Sequence, residues 1–454
     1  MHSRRAQRNT PPRTPVILAA GAQTTKMDTT QPLLQFFKTD PLAGPVQRPQ
    51  SLAAIDVRRA VLEDLALKIL YLSGTLSVLE LSEKTKLSFE ISNDLVLRLR
   101  AEQFCQVTGM AGNIPHVGIT SQGRTRAVEL LTQSHYAGVA PVSLESYVTQ
   151  AKKQGVRNVE VRPADVERCF THLVVDENTM HRFGTALNSG AAIFLYGPAG
   201  TGKTSMAAAL ANVISEDAVW MPHAIEVDGQ IITVYDPAIH RRAQELEPRE
   251  RDERWVLCHR PTVLVGGELT VEMLDLQFNP ITKFYVGPVQ MKANNGVLII
   301  DDFGRQRLRP EELLNRWVVP LDRGIDFLTL AGGKKIEIPF EMQVVFASNL
   351  DPAALVDAAF LRRIQTKIHI GTVSNEHFCE IFRRYALDKG IEYTPGICND
   401  LIDFIHNTMK QELRSCYPRD VLNQVCWAAR YDGIKPFMDH AALERAVEAY
   451  FLAR

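Results

Sequence analysis

Gly197-Pro198-Ala199-Gly200-Thr201-Gly202-Lys203-Thr204 fits the pattern G-x-x-x-x-G-K-[ST] at every position, and Ser205 follows it. Glycines at this spacing let successive backbone N–H groups turn inward around a phosphate chain. A helix starting at the lysine adds the partial positive charge of its first turn. Lys203 is then placed to reach the outer phosphates, and the Thr204 hydroxyl to bind Mg²⁺. A second stretch, Gly296-Val297-Leu298-Ile299-Ile300-Asp301-Asp302, ends an apolar run in two acids. Carboxylates at the C-terminal end of a buried strand sit where open α/β sheets bind their ligands. There Asp301 would hold Mg²⁺ through water, and Asp302 would polarise an attacking water.

Such groups need rigid elements to hold them. Ala191–Tyr196 reads as a buried strand, and Ser205–Ile214, rich in Ala, Met and Leu, reads as a helix. The order strand, glycine loop, helix is the context the motif requires. Val219–Tyr235, with Asp228-Gly229 between two apolar runs, reads as a β-hairpin. The charge run Ala243–Arg254 reads as solvated surface. Thr262–Gly266 reads as a strand, with Thr270 capping a short helix through Leu276. Near the end, Glu376–Leu387, Asn399–Met409, Asp420–Arg430 and Ala441–Leu452 carry apolar residues at helical spacing. The expected fold class is an α/β P-loop core, a parallel sheet with flanking helices, over residues 161–372, then a helical lid over 373–454.

Several further segments resemble the AAA+ ATPases, over about residues 165–454. Gln343–Asn349 is an apolar strand ending in Asn, similar to the family's sensor 1, which implies that Asn349 bonds the attacking water or the γ-phosphate. Phe360-Leu361-Arg362-Arg363-Ile364 resembles the arginine-finger segment, so that Arg363 or Arg362 would reach the nucleotide of a neighbouring subunit. Tyr417-Pro418-Arg419-Asp420 resembles sensor 2, which would bring Arg419 to the γ-phosphate in cis. Asp326–Phe340, with a Gly332-Gly333 turn, resembles the extra hairpin of the pre-sensor-1 group, as in MoxR and enhancer-binding proteins. Its basic tip, Lys334-Lys335, reads either as a substrate contact in a ring pore or as a solvated turn. Tyr285-Val286-Gly287 resembles a pore loop and reads equally as a packed loop. One departure is Asp302, where the family usually has Glu; the shorter side chain sets its carboxylate farther back and points to slow hydrolysis or a compensating loop.

Residues 51–133 read as a separate unit of three helices, a two-stranded wing and a closing helix, which resembles a winged-helix domain. Ser77 and Ser88 are candidate caps for its second and third helices. From Val57 to Leu131 it has nine basic residues against eight acidic ones, too even for a typical DNA-binding face. Protein contact is therefore its expected use. Residues 134–160 read as a linker with one short helix, and Arg162–Val175 as a helix leading into the core.

The first 50 residues, rich in Pro, Thr, Gln and Arg, read as a disordered tail, whose short apolar piece Val16–Ala22 is near the lower limit for a signal peptide. The net charge of −1 gives no global attraction to nucleic acid or membrane. Seven scattered cysteines with no C-x-x-C spacing argue against a zinc site or disulfide framework and point to a cytoplasmic protein. No apolar run has the length of a membrane helix.

The resemblance implies ATP and Mg²⁺ as ligands and a homo-oligomeric ring, most simply a hexamer, that remodels a protein partner. Two other readings stand beside it. One is a DNA-binding regulator acting through the winged helix. The other is a nucleotide switch with little turnover, motivated by Asp302.

Overall fold

The computed structural model describes residues 46–243, 251–355 and 361–451. The tail up to residue 45, including Val16–Ala22, the middle of the charge run (244–250) and Phe360 lie outside the described residues.

The first unit is built around helix Arg59–Ser73, which stops at Gly74, where φ reaches 79°. Ser77 caps Val78–Thr85 with a reciprocal box: its hydroxyl accepts from Glu80 N–H while the Glu80 carboxylate accepts from Ser77 N–H. Ser88 caps Phe89–Ala101 in the simpler way. The two-stranded wing is the hairpin Cys105–Ala111 with Ile114–Ile119. Met110–Pro115 and Ala111–Ile114 continue the ladder, leaving Gly112 and Asn113 to turn. A short strand, Leu76–Ser77, pairs with the far side of Ile114–Ile119. Leu62, Ile69, Leu95, Leu99 and Val117 form its core.

Residues 134–160 are not a simple linker. Val142–Ser143 pairs in parallel with Ala224–Val227, and Leu144–Lys153 forms a helix that buries Tyr147 and Ala151. The Tyr147 hydroxyl accepts from Asn294, so even the polar end of this ring is paired inside the fold. The helix expected at Arg162–Val175 is shorter, Pro163–Phe170.

The sheet that carries the site has five strands: β1 (Ile193–Tyr196), β2 (Thr262–Val265), β3 (Val297–Ile300), β4 (Gln343–Ser348) and β5 (Thr366–His369). Their order is β2-β3-β4-β1-β5, and every neighbouring pair is parallel. Ile300, Phe346 and Phe194 lie side by side in register, so the residues that follow β3, β4 and β1 emerge at one edge. Helix α1 (Lys203–Ser215) packs Ala207, Leu210, Val213 and Ile214 onto this sheet. Leu210, Val213 and Ile214 each contribute about 1.5–3 kcal/mol of burial, which holds the helix against the sheet.

Between α1 and β4 the chain makes an additional β-rich layer. The hairpin Ala224–Val227 with Gln230–Thr233 turns at Asp228-Gly229, both at positive φ. The later hairpin, Ile325–Thr329 with Lys335–Pro339, packs Leu328, Ile336 and Ile338 against the same layer. Its tip is not free: Lys334 pairs with Asp228 of the first hairpin's turn. Tyr285 is buried and its hydroxyl accepts from Ala331 N–H, the packed alternative rather than the pore loop. Thr270 does not cap; it precedes a single 3₁₀ turn, Val271–Leu274. The end of the charge run is also not solvated. Arg254 is only 3% exposed and bonds Asp252, Asp56 and the Pro141 carbonyl, a pairing that burial of a guanidinium demands.

The C-terminal region is helical: α2 (Asn375–Asp388), α3 (Pro395–Asp403), α4 (Cys416–Asp432) and α5 (His440–Tyr450) share one apolar core. Among the described residues no helix is long and apolar enough to cross a membrane.

Candidate functional site

The glycine loop joins β1 to α1 by a path that only glycine can take. Gly197 has a φ of 144°, and a Cβ there would meet the Ile370 carbonyl oxygen at 2.1 Å. Gly200 has a φ of 80°, and its Cβ would fall 2.6 Å from Cys416 Sγ. Lys203, only 7% exposed, folds back over the loop and donates to the Gly197 and Pro198 carbonyls at 3.0 and 2.7 Å. Burial pushes its ammonium below the usual lysine range, while Asp301 and Asp302 pull the other way. An ammonium held against neutral carbonyls could exchange them for anionic oxygens, which form stronger charge-assisted bonds.

The acids arrive from β3. Thr204 Oγ1 donates to Asp301 Oδ2 at 2.9 Å, across the gap between α1 and the sheet edge. Asp302 takes a left-handed backbone, φ 49°, and its N–H donates to Asp301 Oδ1 at 3.0 Å. Asp tolerates this conformation better than most residues. Its carboxylate accepts from Asn349 Nδ2 at 3.0 Å, just past the end of β4. Phe303 anchors the turn beneath: its N–H donates to the Ala347 carbonyl, and its ring packs on Phe194 and Phe346.

A hydroxyl and a carboxylate oxygen side by side are hard donors suited to Mg²⁺. Among the described residues no group of three or more His, Cys, Asp or Glu side chains is placed to hold a metal ion. Thr204 and Asp301 would thus hold Mg²⁺ together with substrate phosphates and water, the usual arrangement for that ion.

These groups share one cleft of about 310 Å³. Ala199 to Ser205, Asp301, Asp302 and Asn349 line it, as does Arg419 from α4. Gly197 and Pro198 contribute through the carbonyls that hold Lys203. Arg419 is half-exposed and bonds Asp420, whose carboxylate keeps the guanidinium firmly charged. Arg362 and Arg363 do not line the cleft. Arg363 Nε pairs with Asp322 at 3.0 Å, whereas Arg362 is exposed.

The far wall was not anticipated from sequence. His172, Leu173 and Val174, just ahead of the core, face Ile381, Arg384 and Tyr385 of α2 and Ser415 and Cys416 at the start of α4. Arg384 donates to the carbonyls of Thr171 and Leu173 at 2.8 and 3.1 Å, tying the lid to that segment. Two bonds tie the lid to the glycine loop itself: Cys416 N–H to Gly200 O at 3.1 Å and Ser415 Oγ to Thr201 O at 3.2 Å. Burial raises the Cys416 thiol above its ordinary range, which leaves it neutral against the loop. Only adjacency to Tyr417-Pro418-Arg419 could have pointed to Ser415 and Cys416; Arg384 gave no sequence signal.

Residues 374–449, most of the lid, match a domain family of unknown function, DUF8689. No curated protein matches in sequence. Among solved structures the chain is similar to the Thermotoga maritima RuvB Holliday junction branch migration motor, at 14% identity and a TM-score of 0.35 over 61% of this chain and 70% of that one. Two mutants of that motor match similarly, at 15% and 12% identity with TM-scores of 0.36 and 0.35. The first covers 61% of this chain and 70% of its own, the second 65% and 72%.

Proposed function

We propose that the chain is an ATPase of the AAA+ type, binding ATP and Mg²⁺ in this cleft and working as a ring. One observation carries the reading: the glycine loop with Lys203, the Thr204–Asp301 oxygen pair and the Asp302–Asn349 pair converge at one edge of a parallel sheet. The loop N–H groups and Lys203 would bind the phosphate chain. Mg²⁺, held by Thr204 and Asp301, would neutralise charge on the outer phosphates. Asp302 would accept a proton from the attacking water, and Asn349 would orient that water. The water oxygen bonds to the γ-phosphorus as the bond to the bridging oxygen breaks, leaving the electron pair on ADP. Arg419 would offset charge on the γ-phosphoryl in cis.

The pairing of Arg363 bears on which arginine would act in trans. Arg363 is engaged by Asp322, so Arg362, exposed on the same segment, is the better candidate to reach a neighbour's nucleotide, with Arg363 fixing its segment. The first unit, winged-helix-like in its element order, would select a protein partner for remodelling. Its near-even charge supports protein rather than duplex DNA as that partner.

Solution mass with and without ATP, with hydrolysis followed against protein concentration, tests this. Assembly with ATP and a specific activity that rises with concentration are expected. A monomer of constant specific activity removes the trans arginine. Normal turnover by Lys203→Ala removes the site.

A further inference from the structure

Asp302 is one methylene shorter than the glutamate usual at its position, yet its carboxylate reaches Asn349. The turn that makes this possible is closed by a residue with no assigned part in the chemistry. Gln306 Nε2 donates to the Asp301 carbonyl at 2.8 Å, and its Oε1 accepts from the Gly304 N–H at 2.8 Å. One amide thus bridges both sides of Asp302. Inside that bridge, Arg305 N–H donates to the Asp302 carbonyl at 2.9 Å. The Arg307 N–H is tied separately to Gly267 O, and Leu308 is buried, so the strand of chain that carries Gln306 is fixed from beyond. The neighbours Arg305 and Arg307 are exposed and make no side-chain hydrogen bond or ion pair among the described residues; Gln306 alone of the three turns inward.

Although aspartate tolerates the left-handed region better than most residues, the ordinary regions remain lower in energy, and a return to them would swing its Cβ away from Asn349. We infer that Gln306 is a positioning residue: it clamps the Asp301–Gly304 turn so that Asp302, in its left-handed conformation, presents its carboxylate where a glutamate would otherwise reach. This rests on the proposed ATPase reading and deepens it. Gln306 touches neither phosphate nor water in this account; it acts through Asp302.

The test is a cycle of Gln306→Ala and Asp302→Asn in the full chain, with ATP turnover and nucleotide affinity both measured. Gln306→Ala is expected to lower kcat by about ten- to a hundredfold, the scale for misplacing a reacting group by about 1 Å, with KM and affinity within twofold. In the Asp302→Asn background the same change should cost less than twofold more, because the group it positions is already gone. Gln306→Glu, which keeps an acceptor for the Gly304 N–H but sets a carboxylate oxygen against the Asp301 carbonyl, should also lower kcat. If Gln306→Ala costs as much without the Asp302 carboxylate as with it, or weakens affinity as much as kcat, the residue is merely structural and the inference fails. A wild-type chain that turns over normally while Gln306→Ala matches it overturns the positioning role alone. A wild-type chain that binds ATP without turnover overturns the ATPase reading and this inference with it.

Discussion

The two walls of the cleft are built on different principles. The wall that we propose takes the phosphates, the phosphate wall, uses backbone and short side chains fixed by the parallel sheet: the glycine loop leaves β1, Asp301 and Asp302 leave β3, and Asn349 leaves β4. The opposite wall uses side chains from three separated segments, 172–174, 381–385 and 415–416, held together by Arg384 and by two bonds from α4 to the loop. The first wall is rigid because strand register dictates it. The second is assembled by hydrogen bonds between the lid and the rest of the chain. The difference implies that the sheet-edge groups and the wall held by Arg384 can be altered separately, whereas Arg419, which α4 brings to the cleft, belongs to neither wall alone.

The largest effect is expected at Lys203. Removing its ammonium with Lys203→Ala should weaken ATP binding at least a hundredfold, about 3 kcal/mol, since a charge-assisted bond contributes about 1.5–3 kcal/mol and this residue can offer more than one. Calorimetric titration at fixed Mg²⁺ reads it. An affinity within threefold of wild type would remove the phosphate wall from the account.

Next comes the joint between the walls. Gly200→Ala puts a Cβ 2.6 Å from Cys416 Sγ at a φ of 80°, so it should cost about 1–3 kcal/mol in thermal or denaturant unfolding. Adding Cys416→Ala removes the clash but not the backbone strain, and should restore part of the loss. Full restoration would mean that the contact alone mattered; none would mean that the loop conformation did.

A smaller effect belongs to the far wall. Arg384→Ala removes the bonds to Thr171 and Leu173, so ATP affinity should fall about tenfold, roughly 1.4 kcal/mol. Tripolyphosphate, which lacks the nucleoside that we propose this wall holds, should bind as before. Equal losses for both ligands would show that the lid supports the phosphate wall and that the walls are not separable.

This contrast also explains what the sequence disclosed. The phosphate wall was legible because its chemistry needs contiguous residues: glycines, Lys203 and Thr204 in one run, and two acids at the end of another. The parallel sheet follows from the same runs, since a strand buried on both faces is continuous in Val, Ile and Leu. Arg384 and Tyr385 were not legible, because a helix face that meets a cleft looks like any amphipathic helix; the carbonyls that Arg384 touches are more than 200 positions away in the chain. Arg254 was misread for a related reason: it ends a charged run, but its partner Asp56 lies in the first unit and draws it inside. The charge of the hairpin tip was visible, whereas its partner, Asp228, was not, because the two turns meet only through packing of the β-rich layer.

The finest division between the walls is in pH. Lys203 is the only basic residue of the glycine loop, and burial lowers its pKa in the free protein, against the opposing pull of Asp301 and Asp302. Binding of a phosphate chain needs the ammonium. Affinity should therefore begin to fall, as pH rises, before the range in which an exposed lysine titrates, and by no more than tenfold per unit because one proton is involved. Bound phosphate favours the charged form, so the fall belongs to the free protein's titration. Lys203→Arg, which stays protonated, should abolish the alkaline fall even if its affinity is lower throughout. Arg384→Ala should lower the whole curve without changing its shape, since its guanidinium does not titrate there either. A titration of ATP against these three proteins from pH 7.5 to about 10 reads the difference. A shape that changes in Arg384→Ala would place the titrating group under the lid's control and join the two walls into one.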